Sequence, residues 1–352
     1  MRFYSLMTIN RPPSNLFPSI WLIGKYGRLF ALIFVLLLTI RCGGSAPESS
    51  RVVFSVESGG GADLFIIKSG DEEAERLTKS PGADQSPYWS ANGELIAFIS
   101  DRNGSAELWI MDPGGKEKRQ LAGSSADVTG FRWAPDSTRI ALQTKSPSGN
   151  LISVLDIESG QITALTAGVE DAHIGDWSPD SEWVVYAVTE GEESAIRRRN
   201  PTGVDEITLY EGHAYNPRWS RNGQWIAFNR INEDGSVDLV VMNKDGEDDI
   251  TVATDVNQSS VHDWSPDSKR LVYLAGSGDA AEIYVVERNG NDTKQLTSNR
   301  VADSSPSWSS DGSSILFISS SGISSDVYMM KRDGSGQKRV TTADDPVIGA
   351  DW

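Results

Sequence analysis

Cysteine is almost absent: there is one in 352 residues, Cys42, and none follows it. No disulfide can staple the rest of the chain, and a chain of this length can bury a core without one. Histidine is nearly as scarce, so imidazole chemistry would have to run through His173, His213 or His262. Basic residues are outnumbered, 32 against 49 acidic, for a net charge of −17. Such a surface repels nucleic acid, whose binders are basic. It also gives no pull toward anionic lipid. Long apolar runs are missing except for Leu29 to Ile40, twelve residues. That is shorter than the roughly 20 a membrane span needs. There is no Gly-x-Ser-x-Gly elbow and no glycine-rich phosphate loop. These gaps argue against a serine hydrolase of the elbow type, a P-loop enzyme and a nucleic-acid binder.

What the chain does have is tryptophan at a fixed interval. Trp89, Trp133, Trp177, Trp219, Trp264, Trp308 and Trp352 are separated by 44, 44, 42, 45, 44 and 44 residues. A period near 44 residues is that of a β-propeller with one four-stranded blade per repeat. In the first copy Ser86-Pro87-Tyr88-Trp89-Ser90 reads as a strand, and Asn92-Gly93 as the turn of a hairpin. Leu95-Ile96-Ala97-Phe98-Ile99 and Leu108-Trp109-Ile110-Met111 follow as strands, and Arg119-Gln120-Leu121 begins a fourth. The later copies repeat the turn as Pro135-Asp136-Ser137, Pro179-Asp180-Ser181, Arg221-Asn222-Gly223, Pro266-Asp267-Ser268 and Ser310-Asp311-Gly312. A second turn glycine recurs at Gly114, Gly160, Gly203, Gly246, Gly290 and Gly334, 25 to 27 residues after each tryptophan. The seven tryptophans read as core, one large ring filling each gap between blades.

The two ends of the repeat region complement each other. Val52-Val53-Phe54, Leu64-Phe65-Ile66-Ile67 and Arg76-Leu77-Thr78 match strands two, three and four of a blade. Pro346 to Trp352 matches a lone first strand. Together they make one blade, because an open ring would expose a sheet edge. The expected fold is all-β, a propeller of seven four-stranded blades with one blade shared between the termini. Six blades with a leftover terminal strand is the alternative.

The run Trp-Ser-Pro-Asp-x3-Ile-Ala-Phe, with the later Asp-Gly turn and Arg-Leu-Thr strand, resembles the propeller repeats of the TolB family. Related repeats occur in the propellers of prolyl oligopeptidases and of oligogalacturonate lyase. The resemblance covers residues 52–352 and implies a propeller of the bacterial cell envelope. It does not imply membership of the Tol system. No counterpart of the TolB N-terminal α/β domain is expected, and seven blades stand against the six usual in that family.

Residues 1–41 carry five basic residues (Arg2, Arg11, Lys25, Arg28, Arg41) and no acidic one ahead of and beyond the apolar run. That is the make-up of a secretion signal or anchor. Cys42 follows directly, and its placement resembles the lipidated cysteine of a bacterial lipoprotein. Thr39-Ile40-Arg41 departs from the Leu-and-small-residue pattern, so an uncleaved anchor or ordinary cleavage stays open. Residues 42–51 read as a tether. Without the leader the net charge falls to about −22, which favours solubility.

Candidate chemistry gathers ahead of the tryptophans. His173, His213 and His262 precede Trp177, Trp219 and Trp264 by four, six and two residues. Repeat logic puts all three on one face of the propeller, near the channel, with Asp127 and Asp171 beside them. Asp84, Asp176, Asp263 and Asp303 share the neighbourhood. Such a cluster could hold a divalent metal or supply a general base, while local hydrogen bonding explains the same residues without a site. Arg197-Arg198-Arg199 reads as a docking patch or as a solvated edge that blocks strand pairing. Asn243 to Asp249 reads as an exposed hairpin, lacking the order of a calcium loop.

The expected function is non-enzymatic: a monomeric envelope propeller that binds a protein or glycan partner. It is expected to need no cofactor, to avoid nucleic acid, and to meet the membrane only through its N-terminal lipid or anchor. The alternative is a metal-assisted carbohydrate lyase or hydrolase built on the histidine face.

Overall fold

The computed structural model describes residues 51–352, apart from 69–70, 124–125, 167–170, 192, 277–279, 300, 322–323 and 342–344. The leader, Cys42 and nearly all of the tether lie outside the described residues. Every strand or helix assigned among the described residues is a strand, and together they form seven antiparallel sheets of four. Blade 1 starts with Asp84–Trp89, blade 2 with Val128–Trp133, blade 3 with Asp171–Trp177, blade 4 with Ala214–Trp219, blade 5 with Asp263–Trp264 and blade 6 with Ala302–Trp308. Blade 7 draws on both ends. Its first strand, Val347–Asp351, pairs with Arg51–Ser58, which continues into Gly61–Lys68 and Glu75–Arg76. The ring therefore closes as its terminal half-repeats require, with seven blades.

First strands of neighbouring blades abut around the centre. Seven apolar clusters fill the seven gaps between neighbouring blades. Each second strand supplies buried residues to both of its flanking clusters, as Ala97 and Ile99 face one way and Ile96 and Phe98 the other. This is why the middle of the second strand is apolar at successive positions rather than alternating. Trp177, Trp219, Trp264 and Trp308 are buried, and Trp89, Trp133 and Trp352 half-buried, all at these gaps.

Two polar devices recur. In the turn after five of the seven tryptophans, the serine hydroxyl donates to Asn92, Asp180, Asn222, Asp267 or Asp311 at 2.5–2.8 Å. The serines at Ser137, Ser181 and Ser268 then accept from the turn amide of the preceding blade at 3.0–3.1 Å. These serines sit at φ near +60°, where other repeats use glycine. In the Leu-Thr and Val-Thr pairs, the buried hydroxyls of Thr78, Thr166, Thr297 and Thr341 accept backbone N–H groups of the third strand at 2.8–3.0 Å.

The arginine triplet is not an edge. It lies in Glu193–Arg199, the third strand of blade 3, which is bonded on both sides. Arg198 is buried, stacks 4.8 Å over Trp183 and reaches Asp245 at 3.1 Å. Arg197 pairs with Glu190 at 2.8 Å, and Arg199 with Glu206 at 3.3 Å. Its charges are spent inside the fold, because the acids that neutralise them come from adjoining strands and the next blade. Asn243 to Asp249 forms a hairpin turn, with the Asn243 side chain accepting the amides of Asp245 and Glu247.

Candidate functional site

The residue just before each tryptophan reaches the axis of the ring. In blade order these are Tyr88, Arg132, Asp176, Arg218, Asp263, Ser307 and Asp351. All are half-buried: protein encloses them, yet they keep accessible surface, as side chains lining a narrow channel do. Their charges act on one another across the ring. Arg218 of blade 4 feels Tyr88 of blade 1 and Arg132 of blade 2, and Asp351 of blade 7 feels Arg132 and Asp263.

The acids in this ring are tied to its wall. The carboxylate of Asp176 accepts the amide of Trp177 at 2.9 Å, that of Asp263 the amide of Trp308 at 2.8 Å, and that of Asp351 the amide of Trp89 at 2.8 Å. The bases are not. Among the described residues the Arg218 guanidinium has neither hydrogen bond nor ion pair. Arg132 lies 5.2 Å over the Tyr88 ring and donates once, to the Phe131 carbonyl at 3.0 Å, while its Nε has no partner. Burial, then the neighbouring Arg132, pushes the Arg218 pKa down to about 10. Burial pushes the Asp176 carboxyl up against the pull of Arg218, Arg221 and Arg132. Burial also lifts the Asp351 carboxyl to about 6, opposed by the Trp89 amide. Arg221, in the turn that follows Trp219, approaches Asp263 at 3.6 Å, which raises its pKa.

The ring also sets the tryptophan contacts. Where the preceding blade offers Tyr88, Arg132 or Arg218, its carbonyl accepts the next indole N–H at 3.1 Å. Where it offers Asp176, Asp263 or Asp351, the next indole (Trp219, Trp308 or Trp89) has no partner. At Trp308 and Trp89 the carboxylate takes the backbone amide of that same tryptophan instead. A buried indole N–H normally finds a partner. These three are the cost of keeping an acid on the channel.

The histidines stand at different depths. His173 is exposed on the first strand of blade 3, with Nε2 3.0 Å from Asp171. Asp171 is also held by Asn150, through its amide at 2.7 Å and its side chain at 3.0 Å. Burial pushes that carboxyl up, but Asn150 and His173 outweigh it and hold it below the usual range. His213 is exposed just before the first strand of blade 4, with Nδ1 3.2 Å from the Ser194 hydroxyl. Asp127 is exposed and accepts the Ala106 amide at 3.1 Å. His262 is only 1 % exposed. Among the described residues no group of three His, Cys, Asp or Glu side chains gathers as a metal site would.

His262 occupies a place that other blades fill with Pro87, Phe131, Gly175, Pro217, Pro306 or Ala350, and neither ring nitrogen has a hydrogen bond. Burial, then Arg218, pushes its pKa down to about 3; the Ala227 backbone opposes this only weakly, lying outside hydrogen-bond geometry. The folded protein thus holds the ring neutral. The unfolded chain protonates it near 6.5. Its contribution to stability is complete above that value and is lost as pH falls from 6.5 toward 3. Asp351, raised to about 6, acts in the opposite sense: its contribution is complete below about 3.8 and fades as pH rises through 6. Comparing wild type with His262→Leu isolates the histidine. The variant is expected to be more stable by about 1–2 kcal/mol at pH 7. The gap should widen by roughly 3 kcal/mol at pH 4. Urea unfolding at both pH values checks this, and a gap that does not change with pH would refute it.

The same positions show what the sequence left unread. In the sequence Asp176 and Asp263 stand out only as neighbours of histidines, and Arg132, Arg218 and Asp351 have no histidine-side motif to mark them. The signal was there: the residue before the tryptophan is charged in five of seven repeats.

With seven four-stranded blades in place, the family follows from the chain itself. A model of the TolB beta propeller domain matches residues 44–214 and 203–352. The chain belongs to the TolB beta propeller domain family. No curated protein sequence matches it. Among solved structures, TolB from Acinetobacter baumannii is similar at 15 % identity and a TM-score of 0.59, over 75 % of this chain and 67 % of that one. An oligogalacturonate lyase in complex with manganese is similar at 18 % identity and a TM-score of 0.61, over 83 % and 84 %. A puromycin-hydrolyzing peptidase from Mycobacterium tuberculosis is similar at 15 % identity and a TM-score of 0.64, over 85 % of this chain. The match spans 54 % of that peptidase, about half of its length. At such identities the shared feature is the propeller fold.

Proposed function

We propose that this TolB-like propeller is a non-enzymatic binding module of the cell envelope, holding a protein or glycan partner at one mouth of its channel. The supporting observation is a set of equivalent positions four residues before the tryptophans. There Gln85, Thr129, His173 and Ile348 are exposed and Tyr215 and Ser304 half-exposed, while Ser260 is buried. Six different side chains are thus presented along the first strands, whose tryptophans are held at the gaps between blades. Variable side chains on a rigid frame suit recognition. Ile348, 46 % exposed, is an apolar contact point among polar ones. Attachment through Cys42 would keep the module at a membrane surface.

The test uses the full-length tagged protein, extracted from envelopes in mild detergent, with the co-purifying partner identified. His173→Ala combined with Ile348→Glu is expected to cut recovery of that partner at least tenfold. Ile162→Glu, on the exposed outer strand of blade 2, should leave it unchanged. If the outer variant releases the partner and the mouth variant does not, the surface is wrong.

A further inference from the structure

We infer that the channel ring is a binding site for a small zwitterion, a molecule with one carboxylate and one ammonium such as a free amino acid. The ring is polarised. Blades 2 to 4 contribute Arg132, Asp176 and Arg218, and blades 5 to 7 contribute Asp263, Ser307 and Asp351. One side therefore holds two guanidinium groups around a single acid. The other holds two carboxylates and no base of its own. This goes beyond the mouth described above and does not depend on what binds there.

The hydrogen bonds decide which chemistry is unmet. On the basic side the donors are free: among the described residues the Arg218 guanidinium has no partner and Arg132 makes one bond. Asp176 attracts both arginines through space but makes no hydrogen bond to either; one of its oxygens accepts the Trp177 amide. Guanidinium donors without partners in an enclosed place suit a carboxylate, whose two oxygens match the fork. On the acidic side, one oxygen of Asp263 and one of Asp351 are held by tryptophan amides. Asp351 otherwise meets only the Trp352 backbone, outside full hydrogen-bond geometry, and the other oxygen of Asp263 has only the loose approach of Arg221 at 3.6 Å. Acceptors are left over there, which suits an ammonium. Each like-charged pair works against its own ionisation, Arg132 on Arg218 and Asp263 on Asp351, while across the ring Asp176 and Asp263 favour the charge on Arg218 and Arg132 favours that on Asp351. An anion alone would relieve the first pair and repel the second. A zwitterion relieves both.

The half-repeat closure is part of this site. Asp351 belongs to the terminal strand and reaches the ring only because that strand pairs with Arg51–Ser58.

Titration calorimetry on the full chain at pH 7, one ligand at a time, tests the inference with the twenty amino acids, acetate and methylammonium. At least one amino acid is expected to bind saturably, with acetate and methylammonium each at least tenfold weaker. Arg218→Gln should weaken that amino acid at least tenfold. Without ligand it should unfold at the same temperature as wild type or higher, since the arginine makes no bond to lose. If Arg218→Gln does not fold, Arg218→Lys replaces it; it keeps the charge and loses the fork, and is expected to weaken binding severalfold. The inference is overturned if no amino acid saturates. It is also overturned if acetate binds as tightly as the best amino acid, or if the folded variant binds like wild type.

Discussion

Deleting residues 346–352 is expected to destabilise the propeller by on the order of 5 kcal/mol and to leave an open, association-prone ring. The strand Val347–Asp351 closes blade 7 by pairing Val53 with Asp351, Phe54 with Ala350 and Val56 with Val347. Around it, the Pro346 carbonyl accepts the Glu57 amide at 2.9 Å, and the Val347 carbonyl accepts the Ser325 hydroxyl at 2.6 Å. The Trp352 indole donates to the Trp308 carbonyl at 3.0 Å. Val347 is buried, and Ala350 and Trp352 pack on the cluster formed by Val52, Phe54, Leu316 and Val327. Losing a fully buried tryptophan costs about 3–5 kcal/mol, of which the half-buried Trp352 accounts for only part, and a buried valine costs roughly 1.5–3. The entropy of ordering seven residues offsets part of that. Calorimetric unfolding together with light scattering measures both effects. Adding the peptide 346–352 in trans should restore part of the loss. An unchanged melting temperature would show that the seam carries no stability.

Gly175→Ala is expected to cost about 3 kcal/mol, at the high end for overpacking. Gly175 sits in the first strand of blade 3, where it meets blade 4. A Cβ there would lie 2.3 Å from the Pro217 carbonyl oxygen, 2.5 Å from its ring and 2.8 Å from the Val185 carbonyl oxygen. Two of those three atoms are backbone and cannot swing away, so the blades would have to part at the channel wall. Gly130, also in a first strand, supplies the control: a Cβ there meets only Gln143, at 3.9 Å. Gly130→Ala should change stability by no more than about 0.5 kcal/mol. Urea midpoints of the two variants compare them directly, and equal midpoints would refute the close-approach argument.

Much of the fold is legible before any coordinates. Trp-Ser-x-Asp is readable because each residue has a local job: the indole fills a gap, and the serine and acid close the next turn. The half-repeats at the two ends are readable because a missing strand and a surplus strand of the same type have one economical solution. The arginine triplet misleads because its neutralising partners Glu190, Glu206 and Asp245 lie on other strands and another blade. No window of sequence brings them together.

The candidate site is less legible for a related reason. The first strands carry irregularities, such as those between Gln85 and Tyr88, Ile174 and Asp176, and Tyr215 and Arg218. A bulge shifts the alternation of side chains, so equal spacing from a tryptophan does not guarantee equal direction. His173 and His262 look alike in sequence, one four and one two residues before the repeat tryptophan, yet one is exposed and the other sealed between blades.

The sequence by itself determined the repeat, the number of blades and the seam, because these follow from periodic local preferences and from the need to leave no sheet edge open. Only the tertiary structure decided which charges meet. Arg132, Asp176, Arg218, Asp263 and Asp351 are each more than forty residues apart along the chain. They become neighbours because ring closure brings one residue from every blade to a common axis. Coulomb energy there depends on distance and enclosure rather than on sequence separation.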